Sequence, residues 1–347
     1  MNISQYIYRL SCIITFEKLR YKIRKYIKKE GYFINEDIEF LVFLPANDFY
    51  YLPYFQLYNY KNVQVSFSYV NSNTIITSFF KKLPRFLKYR KYTKAKYVPS
   101  KKYVLFFDGL YSLASLDFRE YIRDKYFGCS IIFHLGDLLA TKKGISINDI
   151  KEFSDLVVTF DHNDAERYGL LCHADPYSVL NRDMLNVSGE KTQLIFYGYA
   201  KDKDRAQWIL QVYDKMRAHN VKCDFSVIGL NDEDIQKRPE LADASFTPYL
   251  DYLSKVQSSD CLLEILQDGM SGATFRTWEA VVYNKKLITN NQSVKDEEFY
   301  NPQYIQVIDS IDSLDMEWLK NDVKVDYGYS GKLSPRSCFE YYLSMLN

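Results

Sequence analysis

The sequence lacks the usual means of holding a metal ion. Its four histidines and six cysteines are scattered, with no Cys-x-x-Cys spacing and no histidine pair at ligand distance, which argues against a zinc site. Cysteines spread in this way are expected as free thiols of a reducing compartment. No run of 18 apolar residues is present to span a membrane. The apolar stretch over 7–16 is broken by Arg9, and no small-residue cleavage site follows it, so no signal peptide is expected. Internal repeats and low-complexity tracts are missing too. These absences point to a globular cytoplasmic protein working without a metal or a cofactor.

What is present is size and an uneven charge. At 347 residues and 47% hydrophobic content the chain is long for one core, and two domains are the natural expectation. The net charge of +1 hides an asymmetry. Ten Lys or Arg and no acid lie between 81 and 102, and seven more lie between 18 and 29, so the remainder is net acidic. Phe86, Tyr89, Tyr92 and Tyr97 interleave the longer run. Basic residues among aromatics suit nucleic acid, but no nucleic-acid motif accompanies them and no such partner is expected. They equally suit an anionic membrane leaflet, at roughly 1 kcal/mol per Lys or Arg near the surface, or a solvated helix face.

Short apolar runs over 40–45, 63–69, 103–107, 130–134 and 156–160 are rich in Val, Ile, Leu and Phe without clean alternation. Such runs predict strands buried on both faces, hence a parallel sheet covered by helices. The segment 167–189 interrupts the rhythm with Gly169, Pro176, Asn181, Asn186 and Gly189 and holds no run long enough for a sheet strand, which places a linker within about 170–190. Strands are then predicted over 193–197, 223–228, 261–266, 286–289 and 304–307, and helices over 206–218, 248–257 and 274–283. Ser334 followed by Pro335 reads as an N-cap with proline at the first helical position, opening a last helix over 338–346. The predicted fold is α/β, with a Rossmann-like domain over 1–175 and a second over 190–330. The segment 331–347 is expected to pack back toward the first. Two such sheets would line a cleft with their carboxyl ends.

The residues best suited to a ligand run from Asp268 to Glu279. They follow one predicted strand and open the helix over 274–283. Gly269 and Gly272 allow close backbone approach, and the amides of Gly272, Ala273 and Thr274 are expected to point out of the helix start. A diphosphate there would gain about 0.3–1 kcal/mol per exposed charge from the helix dipole. Arg276 lies in the first turn, where a cation opposes that dipole unless an anion is present, and it offers a charge-assisted bond. Glu279 lies about one and a half turns in, placed to accept from a ribose diol. A glycine-containing turn with an ordinary surface Arg and Glu is the plainer reading.

The block from Ser259 through Glu264, Gly272, Arg276, Glu279 and Ala280 to Asn284-Lys-Lys-Leu-Ile-Thr-Asn-Asn291 resembles the donor-binding region of GT-B glycosyltransferases. It is similar, more narrowly, to bacterial enzymes of capsule, O-antigen and exopolysaccharide gene clusters. Asp155-Leu-Val-Val-Thr-Phe-Asp161 resembles the segment closing the N-terminal domain of that group. Phe196-Tyr-Gly198 followed by Lys201, Lys203 and Arg205 resembles the first strand and glycine loop of its donor domain. The resemblance implies that Glu279 holds the nucleotide ribose and that Gly272, Ala273 and Thr274 face the diphosphate. Gly198 would lie in the donor loop, with Arg205 or Lys203 neutralising the leaving group. It implies a hexosyl transfer from a nucleotide-diphosphate sugar to a glycan or lipid-linked acceptor, at the inner face of the membrane. Many retaining enzymes of the group carry a second glutamate eight positions before the one on the ribose; here that position is Ser271, which leaves the stereochemistry open.

An inverting reaction needs a general base on the N-terminal domain. Asp108, His134 and Asp137, at the ends of two predicted strands, are the candidates, though a turn, a core imidazole and a helix cap are their plainer readings. Asp161 and Asp164 read as helix caps. No divalent ion held by an Asp-x-Asp triplet is expected. The rival functions are a sugar-nucleotide epimerase and a catalytically silent sugar-nucleotide or membrane-binding protein of the same fold.

Overall fold

The computed structural model describes residues 17–19, 21, 27, 29, 31–46, 51–68, 84, 87, 89–90, 95–142, 145–180, 182–185, 187, 190–200, 202–242 and 244–346. Most of the basic residues of 18–29 and 81–102 lie outside these. The chain forms two compact units, one of residues 1–160, 164–179 and 331–347, the other of 161–163 and 180–330.

The first unit is built on a six-stranded parallel sheet. Its strands are β1 (Ile38–Pro45), β2 (Val63–Ser68), β3 (Lys102–Asp108), β4 (Ser130–Leu135), β5 (Leu156–Thr159) and β6 (Leu171–Cys172), in the spatial order β2-β1-β3-β4-β5-β6. Both faces of the central strands are covered, which is why their sequences do not alternate. Leu41, Phe43, Leu105, Phe107, Ile131 and Phe133 face helices α1 (Leu116–Lys125) and α2 (Ile147–Phe153), whose Phe118, Ile122, Ile150 and Phe153 are buried among them. On the other face, Phe40 and Phe106 meet Phe339 from the last helix, at ring separations of 5.9 and 4.7 Å. The sequence predicts no strand in 167–189, yet β6 forms there. Its two residues pair with Val158 and Thr159, a ladder too short to leave a hydrophobic run.

The second unit carries a five-stranded parallel sheet of β7 (Thr192–Tyr199), β8 (Cys223–Ile228), β9 (Ser259–Glu264), β10 (Lys286–Thr289) and β11 (Ile305–Val307), ordered β11-β10-β9-β7-β8. The helices of the remaining chain are α3 (His162–Tyr168), α4 (Lys203–Ala218), α5 (Asp232–Lys237), α6 (Tyr249–Gln257), α7 (Phe275–Val282), α8 (Met316–Lys320) and α9 (Pro335–Met345). The starts of α4, α5, α7, α8 and α9 are set by side chains: Asp202, Asn231, Thr274, Asp315 and Ser334 each accept a bond from an amide of the first turn. Ser334 caps α9 with Pro335 at its first position.

The strand order also marks where a ligand fits. From β7 the chain moves to β8 on one side and then crosses to β9 on the other, so the loops leaving β7 and β9 diverge above their carboxyl ends. Open parallel sheets bind ligands at such a switch point.

Candidate functional site

The last partners joining β7 to β9 are Ile195 and Leu262; beyond them β7 follows β8, and β9 follows β10. Arg276 spans the opening. Its guanidinium donates to the carbonyl of Leu263 (3.1 Å) and to that of Tyr197, and lies 5.0 Å from the centre of the Phe196 ring. Gly198 makes room for that ring, since a Cβ there would come within 3.1 Å of it. The glycine thus supports Arg276 from behind rather than needing to touch a ligand itself. With both terminal nitrogens on backbone carbonyls, Arg276 contributes charge rather than the free fork expected from the sequence.

Arg205 sits beside it, in the first turn of α4, with its side chain partly buried. Among the described residues no side chain or carbonyl bonds its guanidinium, and its Nε is buried without a partner. Burial first, and the Arg276 charge second, lower its pKa to about 10. Lys203 points elsewhere, as residues two apart on a helix do. It is exposed and lines a cavity of about 750 Å³ with Asp202, Ala206, Gln207 and Asn231. Of the two cations expected near a leaving group, only Arg205 shares the charged cluster with Arg276.

The helix start beneath them is α7. Gly272 has a φ of 82°, a conformation that favours glycine. Its amide is not free: it donates to Ser293 Oγ (2.9 Å), while its carbonyl accepts from Asn291 Nδ2 (2.8 Å). The amide of Ser271 is likewise taken, by Asp161 Oδ2 of the same unit (2.6 Å). Of the expected cradle, the amides of Ala273 and Thr274 remain unpaired among the described residues. Thr274 caps the helix, its hydroxyl accepting from the Arg276 amide.

Glu279, expected on the ribose, is enclosed in the ligand-free chain. It is only 2% exposed, and its two oxygens accept from the hydroxyls of Tyr249 (2.6 Å) and Tyr252 (2.7 Å). Burial raises its pKa, against the pull of Arg276 and the two tyrosines. A ribose diol would have to displace a tyrosine hydroxyl to reach it. As described, Glu279 is an internal carboxylate that orders Tyr249 and Tyr252 and faces the charge of Arg276.

In the first unit, two of the three expected general bases are likewise enclosed by other side chains. Asp108 and His134 are buried. His134 Nδ1 is 3.1 Å from Asp108 Oδ1, and Nε2 is 2.9 Å from Asp175 Oδ1, although this second contact is not aligned as a hydrogen bond. The Tyr54 hydroxyl takes the other oxygen of Asp108 (2.7 Å). Burial acts to lower the His134 pKa, but Asp175 and Asp108 together outweigh it and hold the imidazole at about 10. His134, Asp108 and Asp175 thus form a buried charge cluster. Asp137 stays partly exposed, bonded to Lys142 Nζ (2.8 Å) and the Leu138 amide (3.0 Å). Asp164 accepts from the Leu139 amide, 25 residues earlier in the chain.

The chain does contain Asp-x-Asp triplets, Asp202-Lys203-Asp204 and Asp232-Glu233-Asp234, each at a helix start. Among the described residues no group of three or more His, Cys, Asp or Glu is arranged to hold a metal. Nor is any helix among them long and apolar enough to cross a membrane. Cys129, Cys223, Cys261 and Cys338 are in no disulfide among the described residues.

No protein-family model matches the sequence, and no curated protein matches it. Solved structures do. An alpha-glucosyltransferase in complex with UDP-glucose and DNA containing an abasic site aligns over 89% of this chain and 99% of its own, with a TM-score of 0.54 and 9% identity. The alpha-glucosyltransferase in complex with UDP and a 13-mer DNA containing a central A:G mismatch aligns over the same shares at 0.52 and 9%. A UDP-N-acetylglucosamine 2-epimerase from Rickettsia bellii covers 90% of this chain and 97% of its own at 12% identity, but its TM-score of 0.48 decides nothing. Identities this low speak to fold alone. The chain has the α/β fold of two Rossmann-like domains, the GT-B architecture, found in these glucosyltransferase structures.

Proposed function

We propose that the chain is a glycosyltransferase whose second unit binds a nucleoside-diphosphate sugar through its diphosphate. The observation that carries this reading is Arg205, a partly buried guanidinium that no carboxylate bonds among the described residues, beside Arg276 at the sheet's switch point. Leaving a cation desolvated and unpaired is costly unless a ligand supplies the anion. The unpaired amides of Ala273 and Thr274 at the start of α7 add donors of the kind that bind phosphate. The alpha-glucosyltransferase of like fold is in complex with UDP-glucose or UDP, which fits the same ligand class. Catalysis would rest on holding the donor and on neutralising the departing diphosphate, without protonation from His134.

The resemblance of the 259–291 block further supports a hexosyl transfer in bacterial surface-glycan assembly. The basic runs over 18–29 and 81–102 would meet the anionic membrane that carries a lipid-linked acceptor. Thermal-shift measurements with UDP-, GDP-, CMP- and dTDP-sugars test donor binding, because a ligand selective for the folded state raises the melting temperature. One of the diphosphate sugars is expected to do so. Product analysis with a lipid-linked acceptor then separates transfer from epimerisation. No shift with any diphosphate sugar would remove the proposed function. Binding to anionic vesicles that survives charge reversal over 81–96 would remove the membrane part alone.

A further inference from the structure

Glu264 ends β9 and is 3% exposed, yet it forms no ion pair among the described residues. Its carboxylate accepts instead from three threonine hydroxyls: Thr277 (2.9 and 3.0 Å), Thr289 (2.6 Å) and Thr274. A buried carboxylate needs such donors to be tolerated at all. Of the three, Thr274 is the cap of α7 and owns one of the two unpaired amides. A hydroxyl has one proton to give. Because Thr274 directs its proton at Glu264, its lone pair faces the Arg276 amide, and the cap is locked in one rotamer. Ser293 and Asn291 fix the turn from the Gly272 side.

We propose that Glu264 is a positioning residue for the diphosphate, acting through Thr274 to keep the Ala273 and Thr274 amides turned outward. This rests on the anion-binding reading given above. Position and charge predict opposite effects here. Glu264 is negative and lies near Arg205 and Arg276, pulling both pKa values upward although burial leaves that of Arg205 lowered, so as a charge alone it would repel an anion and its removal would tighten binding. As a positioning residue its removal weakens binding.

Calorimetric titration with inorganic pyrophosphate and with UDP separates the two. The variants are Glu264→Gln, Thr274→Val, Thr274→Ser and Thr289→Val. The last removes a bond of 2.6 Å to the same carboxylate from β10, together with the bond that Thr289 Oγ1 accepts from the Asn291 amide. Wild type is expected to bind both probes. Glu264→Gln and Thr274→Val should each weaken pyrophosphate about tenfold, the worth of one charge-assisted bond. Thr274→Ser should restore wild-type affinity, and Thr289→Val should keep it to within about twofold while lowering the melting temperature. If Glu264→Gln does not fold, the Thr274 pair against Thr289→Val decides. Tighter or unchanged binding in Glu264→Gln, or equal losses in Thr274→Val and Thr289→Val, overturns the proposal. Wild type binding neither probe overturns the anion site itself, and this inference with it.

Discussion

Arg205 and Arg276 repel each other across the splayed ends of β7 and β9, and among the described residues only the Arg276 guanidinium has bonds to hold it there. Replacing Arg205 with Met should therefore leave the ligand-free protein as stable as before or more so, since an isostere of an unpaired buried charge relieves desolvation. A melting temperature several degrees lower would show that Arg205 has a structural partner. Glu279 behaves oppositely. Its removal as Glu279→Ala strands two tyrosine hydroxyls, at about 1–3 kcal/mol for each, and chemical denaturation should report that loss without any ligand. His134 gives a pH signature. Its pKa is about 10 in the folded chain against 6.5 for a free imidazole, so its contribution is complete below pH 6.5 and disappears as pH rises toward 10. Denaturation of the wild type should weaken across that window, and His134→Gln should flatten the slope while costing about 3–5 kcal/mol near neutrality.

At the scale of elements, the turn into α7 depends on Gly272, whose φ of 82° suits no β-carbon. Gly272→Ala should destabilise by roughly 1–2 kcal/mol, seen as a lower denaturation midpoint. An unchanged midpoint would mean that the turn relaxes without cost. Strands and helices were legible in the residues because buried parallel strands leave dense apolar runs and helices carry caps. The predicted run over 223–228 is β8, and Ser334-Pro335 opens α9 as its pattern implies. The two-residue β6 was not legible, for it has no pattern of its own and is held only by Val158 and Thr159. Site side chains were legible as types but not as partners. Spacing put Glu279 one and a half turns into a helix, but it could not show Tyr249 and Tyr252, about thirty positions earlier, meeting both its oxygens. Glu264 stood in plain view in the 259–264 strand. Its signal, three threonines at 274, 277 and 289, appears only once β9, β10 and α7 are brought together.

For the whole molecule, the class of fold could be read from composition and rhythm alone, because two parallel sheets demand two sets of apolar runs separated by helices. Function is less legible, since one architecture hosts many chemistries and identity to the glucosyltransferase structures is only 9%. What singles out a diphosphate is a charge imbalance confined to one spot, Arg205 with no acid bonded to it among the described residues. Calorimetry of the intact chain with UDP, GDP and uridine, repeated on Arg205→Met, addresses that imbalance directly. One diphosphate should bind the wild type, uridine should bind far more weakly, and Arg205→Met should lose at least tenfold in diphosphate affinity, about 1.4 kcal/mol. Equal affinity for uridine and its diphosphate, or an Arg205→Met chain that binds the diphosphate as well as wild type, would contradict the account.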